Sequence, residues 1–288
     1  MFAENICMKK IILLSNLALA SCMLLNSCGN DSAKQKEDAA NSVTEDSTPA
    51  NELASYHFTY TLANLPPPMQ VLEEFSQSKL AVDVSLLNPS TNVEKYQTSI
   101  KQALNYGIYG VDLGYLVVNN RTLDVIKYYS TTKKLAEQLN MSETFNRFVD
   151  RFENNANNKD TLTRVIDEAY AATDAYLRTN ERLETASQVL AGSWLECQYL
   201  TVKSLIGTER NADNAILFQR VWEQRLYLDN ISKLLAEFKD DADLNKIKSD
   251  FEELLIIYKE PSDDKEINKA FLAKLSSSLE KTRANIIK

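Results

Sequence analysis

Two residues in this chain are placed where they could do chemistry: an aspartate set among tyrosines, and a cysteine to which lipid could be attached. Asp112 stands in Tyr106-Gly107-Ile108-Tyr109-Gly110-Val111-Asp112-Leu113-Gly114-Tyr115. A carboxylate among apolar and aromatic neighbours is expected to be at least half buried. A buried charge costs several kcal/mol unless it is paired and hydrogen-bonded. Asp112 must therefore find an Arg, a Lys, a tyrosine hydroxyl or a backbone N–H. The favoured expectation is a structural hydrogen bond. The sharper one is a Tyr-rich pocket lined by Tyr106, Tyr109, Asp112, Tyr115, Trp194 and Glu196, with Glu196 facing Asp112 across the helices.

Much chemistry is excluded by composition. His57 is the only histidine. A His-Glu-x-x-His zinc helix and a paired Glu-x-x-His di-iron site are therefore ruled out. No metal site and no cofactor is expected. A serine or cysteine nucleophile with a histidine base would have to use His57, and nothing around it resembles such a site. No Gly-x-x-x-x-Gly-Lys-Ser/Thr loop and no Gly-x-Gly-x-x-Gly turn is present to cradle phosphate.

The cysteine belongs to the N-terminus. Met8-Lys9-Lys10 is a short basic start, and Ile11 to Leu25 is an uncharged, mostly apolar run of 15 residues. That is short for a bilayer span of about 20 residues and suits the h-region of a signal peptide. Leu25-Asn26-Ser27-Cys28 then matches the Leu-x-small-Cys lipobox, so residues 1–27 are expected to be a lipoprotein signal and Cys28 the lipidated residue. Leu19-Ala20-Ser21-Cys22 fits the same pattern. Cys28 is preferred, because cleavage before Cys22 would leave Met23-Leu24-Leu25 in the mature tail. Glu4 is foreign to a basic n-region, which points to a start at Met8. An uncleaved anchor is the alternative. Each buried methylene contributes about 0.8 kcal/mol, so two or three acyl chains hold a protein on a membrane where one does not. Neither candidate cysteine is followed by Asp, which points to the outer membrane, facing periplasm or cell surface.

Residues 28–51 read as a disordered tether, polar and free of aromatics. Ser32 in Asp31-Ser32-Ala33 and Ser47 in Asp46-Ser47-Thr48 match a Bacteroides-type O-glycosylation pattern, with an unmodified linker as the alternative. The whole chain carries a formal charge of −8, and loss of Glu4, Lys9 and Lys10 with the signal makes it −9. Such a chain lacks the positive footprint that nucleic acid requires. Beyond the signal and Cys28 only Cys197 remains, so no intramolecular disulfide is expected. Cys197 lies on a helical apolar stripe and reads as a buried, inert thiol.

The elements that must position Asp112 are helices. Six Gly and six Pro in 288 residues argue for long helices, and residues 52–288 are expected to form one all-α domain. Eight or nine antiparallel helices are predicted, in one bundle or a helical-hairpin array, with a short extended segment before the first. Alternation of Tyr56, Phe58, Tyr60 and Leu62 suggests that extended segment, and Pro66-Pro67-Pro68 starts a helix after it. A stripe from Val93 to Val118 predicts a helix over about 92–118. Gly107, Gly110 and Gly114 form a flat ridge on it, read as the seat of a closely packed helix. Ser142 and Asp160 are the expected caps of later helices, and Gly207 the C-terminal stop of a helix over about 182–206. No internal repeat near 34 residues is clear.

On these residues the chain resembles a family of uncharacterised lipoproteins of Bacteroides-type gut bacteria. The matching segments are Leu65-Pro66-Pro67-Pro68, Leu104 to Tyr115, Arg151-Phe152-Glu153-Asn154, Thr173-Asp174-Ala175-Tyr176-Leu177 and Gly192-Ser193-Trp194-Leu195-Glu196. The resemblance runs from about Leu65 to Ile206 and implies an all-helical fold at the outer membrane. It implies no reaction. Family members often carry Gly where this chain has Cys197. The favoured function is a non-catalytic helical module that binds an envelope protein or a small ligand, held to the membrane by its lipid anchor. The alternatives are a carboxylate/tyrosine enzyme of lyase or glycosidase type, which needs two carboxylates about 5 to 9 Å apart on one cleft, and a purely structural envelope lipoprotein.

Overall fold

Every residue from Ala103 to Val118 is buried. A helix that is apolar all round must be surrounded by others, and this one forms the axis of the molecule. The structure is a computed structural model that describes residues 49–238 and 241–288, with side chains from residue 52 onward. The lipobox cysteines Cys22 and Cys28, and Ser32 and Ser47, lie outside the described residues.

The chain order is α1 (Pro49–Asn64), α2 (Pro68–Gln77), α3 (Ser99–Val118), α4 (Thr122–Gln138), α5 (Ser142–Asn146), α6 (Val149–Glu153), α7 (Lys159–Thr179), α8 (Leu183–Leu205), α9 (Ala215–Ala236), α10 (Ala242–Tyr258) and α11 (Lys269–Ile287). Two of these, α5 and α6, are only five residues long, and nine helices remain when they are set aside. The all-α expectation is met, and among the described residues there is no strand. None of the helices among the described residues is long and apolar enough to cross a membrane.

The second axial helix is α8, buried on nearly all sides from Ala186 to Val202. It approaches α3 at two glycines. A Cβ on Gly192 would lie 2.0 Å from the Leu104 carbonyl oxygen, and one on Gly107 would lie 2.2 Å from that of Val189. The predicted ridge therefore serves three partners, not one helix. Gly107 admits α8, Gly110 admits the Tyr170 hydroxyl of α7, and Gly114 admits Met69 and Leu72 of α2. Helices α4, α7, α2 and α11 surround this pair, and α9 and α10 extend the core. Tyr106 meets Thr173 while Gly110 meets Tyr170, so α3 and α7 run antiparallel.

Several local expectations change. Tyr56, Phe58, Tyr60 and Leu62, read as extended, lie in α1. Ala54, Phe58 and Thr61 are buried there while Tyr56 and Tyr60 are exposed, so the relevant period is 3.6 and the alternation of aromatics is incidental. The helix also starts at Pro49, inside the stretch assigned to the tether, at a position where proline loses nothing because first-turn N–H groups have no helical acceptor. The helix expected from residue 92 starts at Ser99. Residues Ser90–Lys95 form a 3₁₀ turn, and the Thr98 side chain caps α3 by accepting from Lys101 N. Ser142 and Asp160 do not cap their helices; Asn158 accepts from Thr161 N to start α7. Gly207 takes φ +79° just past α8, as expected of a C-terminal glycine.

Candidate functional site

Asp112 and Glu196 are fully buried, at 0% exposure each. The Gly107 and Gly192 contacts bring α3 and α8 close enough for the two carboxyls to interact directly. Glu196 receives a two-point ion pair from Arg283 of α11, Nε to Oε2 at 2.6 Å and Nη2 to Oε1 at 2.7 Å. Arg283 also donates to the Leu86 carbonyl at 3.1 Å and stacks 4.2 Å from the Tyr199 ring centroid. Two carboxylates and one guanidinium would leave a net buried charge. Burial, and next the negative charge of Glu196, push the Asp112 carboxyl well above the usual carboxylate range. Asp112 is therefore the protonated partner. Its Oδ2 accepts from Asn88 N at 3.1 Å, and Oδ1 finds no donor. An oxygen with no donor, beside a carboxylate, is where a proton on Asp112 would sit, directed at Glu196.

A polar shell locks this group in place. Asn88 Nδ2 donates to the Tyr96 hydroxyl at 2.9 Å and to Asn105 Oδ1 at 3.1 Å. Asn105 Nδ2 in turn donates to the Ile286 carbonyl at 3.1 Å, and the Tyr109 hydroxyl donates to the Pro89 carbonyl at 2.8 Å. Loop 87–90, α3 and the C-terminal helix are thus tied together. No substrate reaches the pair, so it does not meet the open-cleft requirement of glycoside hydrolysis. The structural expectation for Asp112 is the one the geometry supports.

Substituting Asp112→Asn tests the proton. Folded Asp112 keeps a proton that the unfolded chain releases above about pH 4. The native state then binds the extra proton, and this group's contribution to stability falls by about 1.4 kcal/mol per pH unit on rising pH, until the raised folded value is reached. Asparagine can donate to Glu196 and accept from Asn88 without a titrating proton. Denaturant unfolding is expected to show Asp112→Asn gaining on wild type as pH rises. Parallel pH profiles of the two proteins would contradict a protonated Asp112.

The predicted pocket residues do not converge. Asp112, Glu196 and Tyr109 belong to the sealed cluster. The Tyr106 hydroxyl pairs with Thr173 Oγ1 at 3.3 Å. Tyr115 packs on Phe75 and accepts from Asp83 N at 3.1 Å. Trp194, two residues before Glu196, points to the other side of α8, where its indole N–H donates to Gln224 at 2.7 Å.

That other side borders a cleft of about 670 Å³. Its floor is α8, through Val189, Ser193, Trp194 and Cys197; α1 supplies one wall through Phe58 and Leu62; α7 supplies the other; and the Leu65–Pro68 corner closes one end. Arg178 Nη1 reaches Thr59 Oγ1 at 3.5 Å and links the two walls. The lining is mainly apolar and within the size range of small-molecule sites, about 300–1,000 Å³. Its polar groups come mostly from one face of α7: Asp167, Tyr170, Asp174 and Arg178. The Tyr170 and Ser193 hydroxyls face each other, and neither completes a hydrogen bond of good geometry. Asp174 Oδ2 is 3.4 Å from Arg178 Nε, whereas its Oδ1 is buried without a partner. Burial raises the Asp174 carboxyl above its ordinary range, partly offset by Arg178. It also raises the Cys197 thiol, with the charges of Glu196 and Asp112 adding to the effect, which keeps the sulfur protonated and unreactive.

Sequence reasoning missed Asn88, Asn105 and Arg283 in the cluster, and Asp167, Tyr170 and Ser193 in the cleft. Arg283 was discoverable, since it follows Leu279 by four residues on the apolar stripe of α11. His57 pairs with Glu237 Oε1 at 2.9 Å on the surface. Among the described residues no group of three or more His, Cys, Asp or Glu is placed to hold a metal ion. No family model, no curated protein and no solved structure matches the chain.

Proposed function

We propose that the protein is an outer-membrane-anchored lipoprotein whose helical domain binds a small, largely apolar ligand without transforming it. The single observation that carries the binding role is the cleft between α1 and α7. It is roomy and mainly apolar, and its α7 wall carries Asp174, one of whose carboxylate oxygens is buried without a partner. An unpaired buried polar group costs about 1–3 kcal/mol, and a ligand that draws Asp174 into a hydrogen bond recovers part of that cost. The anchor rests on the lipobox at Cys28 and on the similarity to Bacteroides-type lipoproteins, with the tether giving the domain reach from the membrane. A partner-protein reading has its own support: Leu53, Tyr56 and Tyr60 stand exposed at i, i+3, i+7 along α1.

Titration with an apolar, environment-sensitive dye tests the binding role. Saturable binding at one site is expected, and Ala171→Trp, which projects a ring into the cleft from its exposed wall, should remove it. Dye uptake that never saturates, or that ignores Ala171→Trp, would count against the cleft. For the anchor, labelled palmitate should enter the wild type and be lost on Cys28→Ser; label that survives replacement of both Cys22 and Cys28 would refute lipidation there.

A further inference from the structure

The cleft's charges specify more than an apolar body. Asp167 and Asp174 are seven residues apart on α7, hence on one face and about 10 Å apart along the axis. Arg178, on the same face, is engaged by Asp174 at one oxygen only. Asp167, at the exposed mouth, is close enough to Glu73 of α2 for the two acids to repel, and neither has an ion-pair or hydrogen-bond partner among the described residues. The mouth is thus more acidic than basic, while the floor offers apolar surface through Val189, Leu190 and Trp194.

We infer that the cleft takes a cationic amphiphile, a small molecule whose hydrocarbon or aromatic body lies on α8 and whose ammonium head is held by the Asp167–Asp174 face of α7. This inference rests on the small-ligand reading of the cleft and adds the charge of the head. A carboxylate head would meet two acids with one partly used guanidinium. A neutral hydroxyl head can donate to either carboxylate but adds no charge attraction. An ammonium donates to one of the two carboxylates and is drawn by the charge of the other at longer range, and hydrogen bonds to charged groups are the stronger class.

Displacement of the bound dye by n-decylamine, n-decanol and n-decanoate, each below its micelle concentration at neutral pH and low salt, separates the possibilities. The amine should displace the dye roughly tenfold more tightly than the carboxylate, with the alcohol between them. Asp167→Asn should narrow that preference, and Asp167→Asn with Asp174→Asn should abolish it while decanol affinity stays within about twofold; retained decanol binding reports that the double variant is folded. Decanoate binding as tightly as decylamine, or a preference that survives the double substitution, would overturn the cationic assignment. Dye that binds saturably but yields to none of the three also overturns it and leaves the cleft reading standing. Failure of the dye itself to bind removes both.

Discussion

Replacing Arg283 by methionine is expected to destabilise the protein by about 3–5 kcal/mol. The substitution keeps much of the side-chain volume and removes the only cation paired with Glu196 among the described residues. Glu196 then has no ion-pair partner in a position with 0% exposure. A carboxylate left buried without its guanidinium is the costly outcome of breaking such a pair. The effect is large against a typical total stability of about 5–15 kcal/mol. Glu196→Gln alone should also be costly, because it strands the guanidinium. The double substitution should cost less than the sum of the singles, by roughly 1–3 kcal/mol, the signature of direct coupling. Additive losses in denaturant unfolding would show that the three groups do not act as a unit.

The second large effect is steric. Gly192→Ala is expected to cost about 3 kcal/mol or more, because the added methyl meets the Leu104 backbone carbonyl, which cannot rotate away. Gly107→Ala faces the Val189 carbonyl and Ser193 N and should behave alike. Gly114→Ala is the control. Its methyl would meet the ends of the Leu72 and Met69 side chains at 2.7 Å, and flexible side chains yield more cheaply than backbone. The ranking Gly192 and Gly107 well above Gly114 in thermal or denaturant unfolding is the expected outcome. Equal losses at the three sites would mean that α3 and α8 are not held at the described separation.

Much of this architecture could be read from residue periodicity. Of the α7 stripe Leu162, Val165, Ile166, Ala169, Thr173, Tyr176 and Leu177, all but the partly exposed Ala169 and Tyr176 are buried as the spacing indicates, and Gly207 stops α8. Periodicity failed where two patterns coincide. The aromatics of α1 alternate by accident while Ala54, Phe58 and Thr61 carry the true helical repeat. It also gave no guide to caps, since α2, α4, α5, α6, α8 and α9 start without a side-chain cap.

The site was legible only in part. Burial of Asp112 follows from its neighbours, and its partnership with Glu196 was within reach of pattern reading. The direction in which each pocket residue faces was not. Trp194 and Glu196 are two residues apart, about 200° around a helix, so one helix serves a sealed ion cluster on one side and a cleft on the other. The Asp167–Arg178 face of α7 looks like an ordinary solvated face in sequence. Only the placement of α1 opposite it makes a cleft.

The most direct measurement is the dye titration carried out side by side on wild type, Asp112→Asn and Ala171→Trp. Binding that is intact in Asp112→Asn and lost in Ala171→Trp is expected, since the buried acid cluster holds the fold and the α1–α7 cleft holds the ligand. Binding lost in a folded Asp112→Asn but kept in Ala171→Trp would contradict that division of labour.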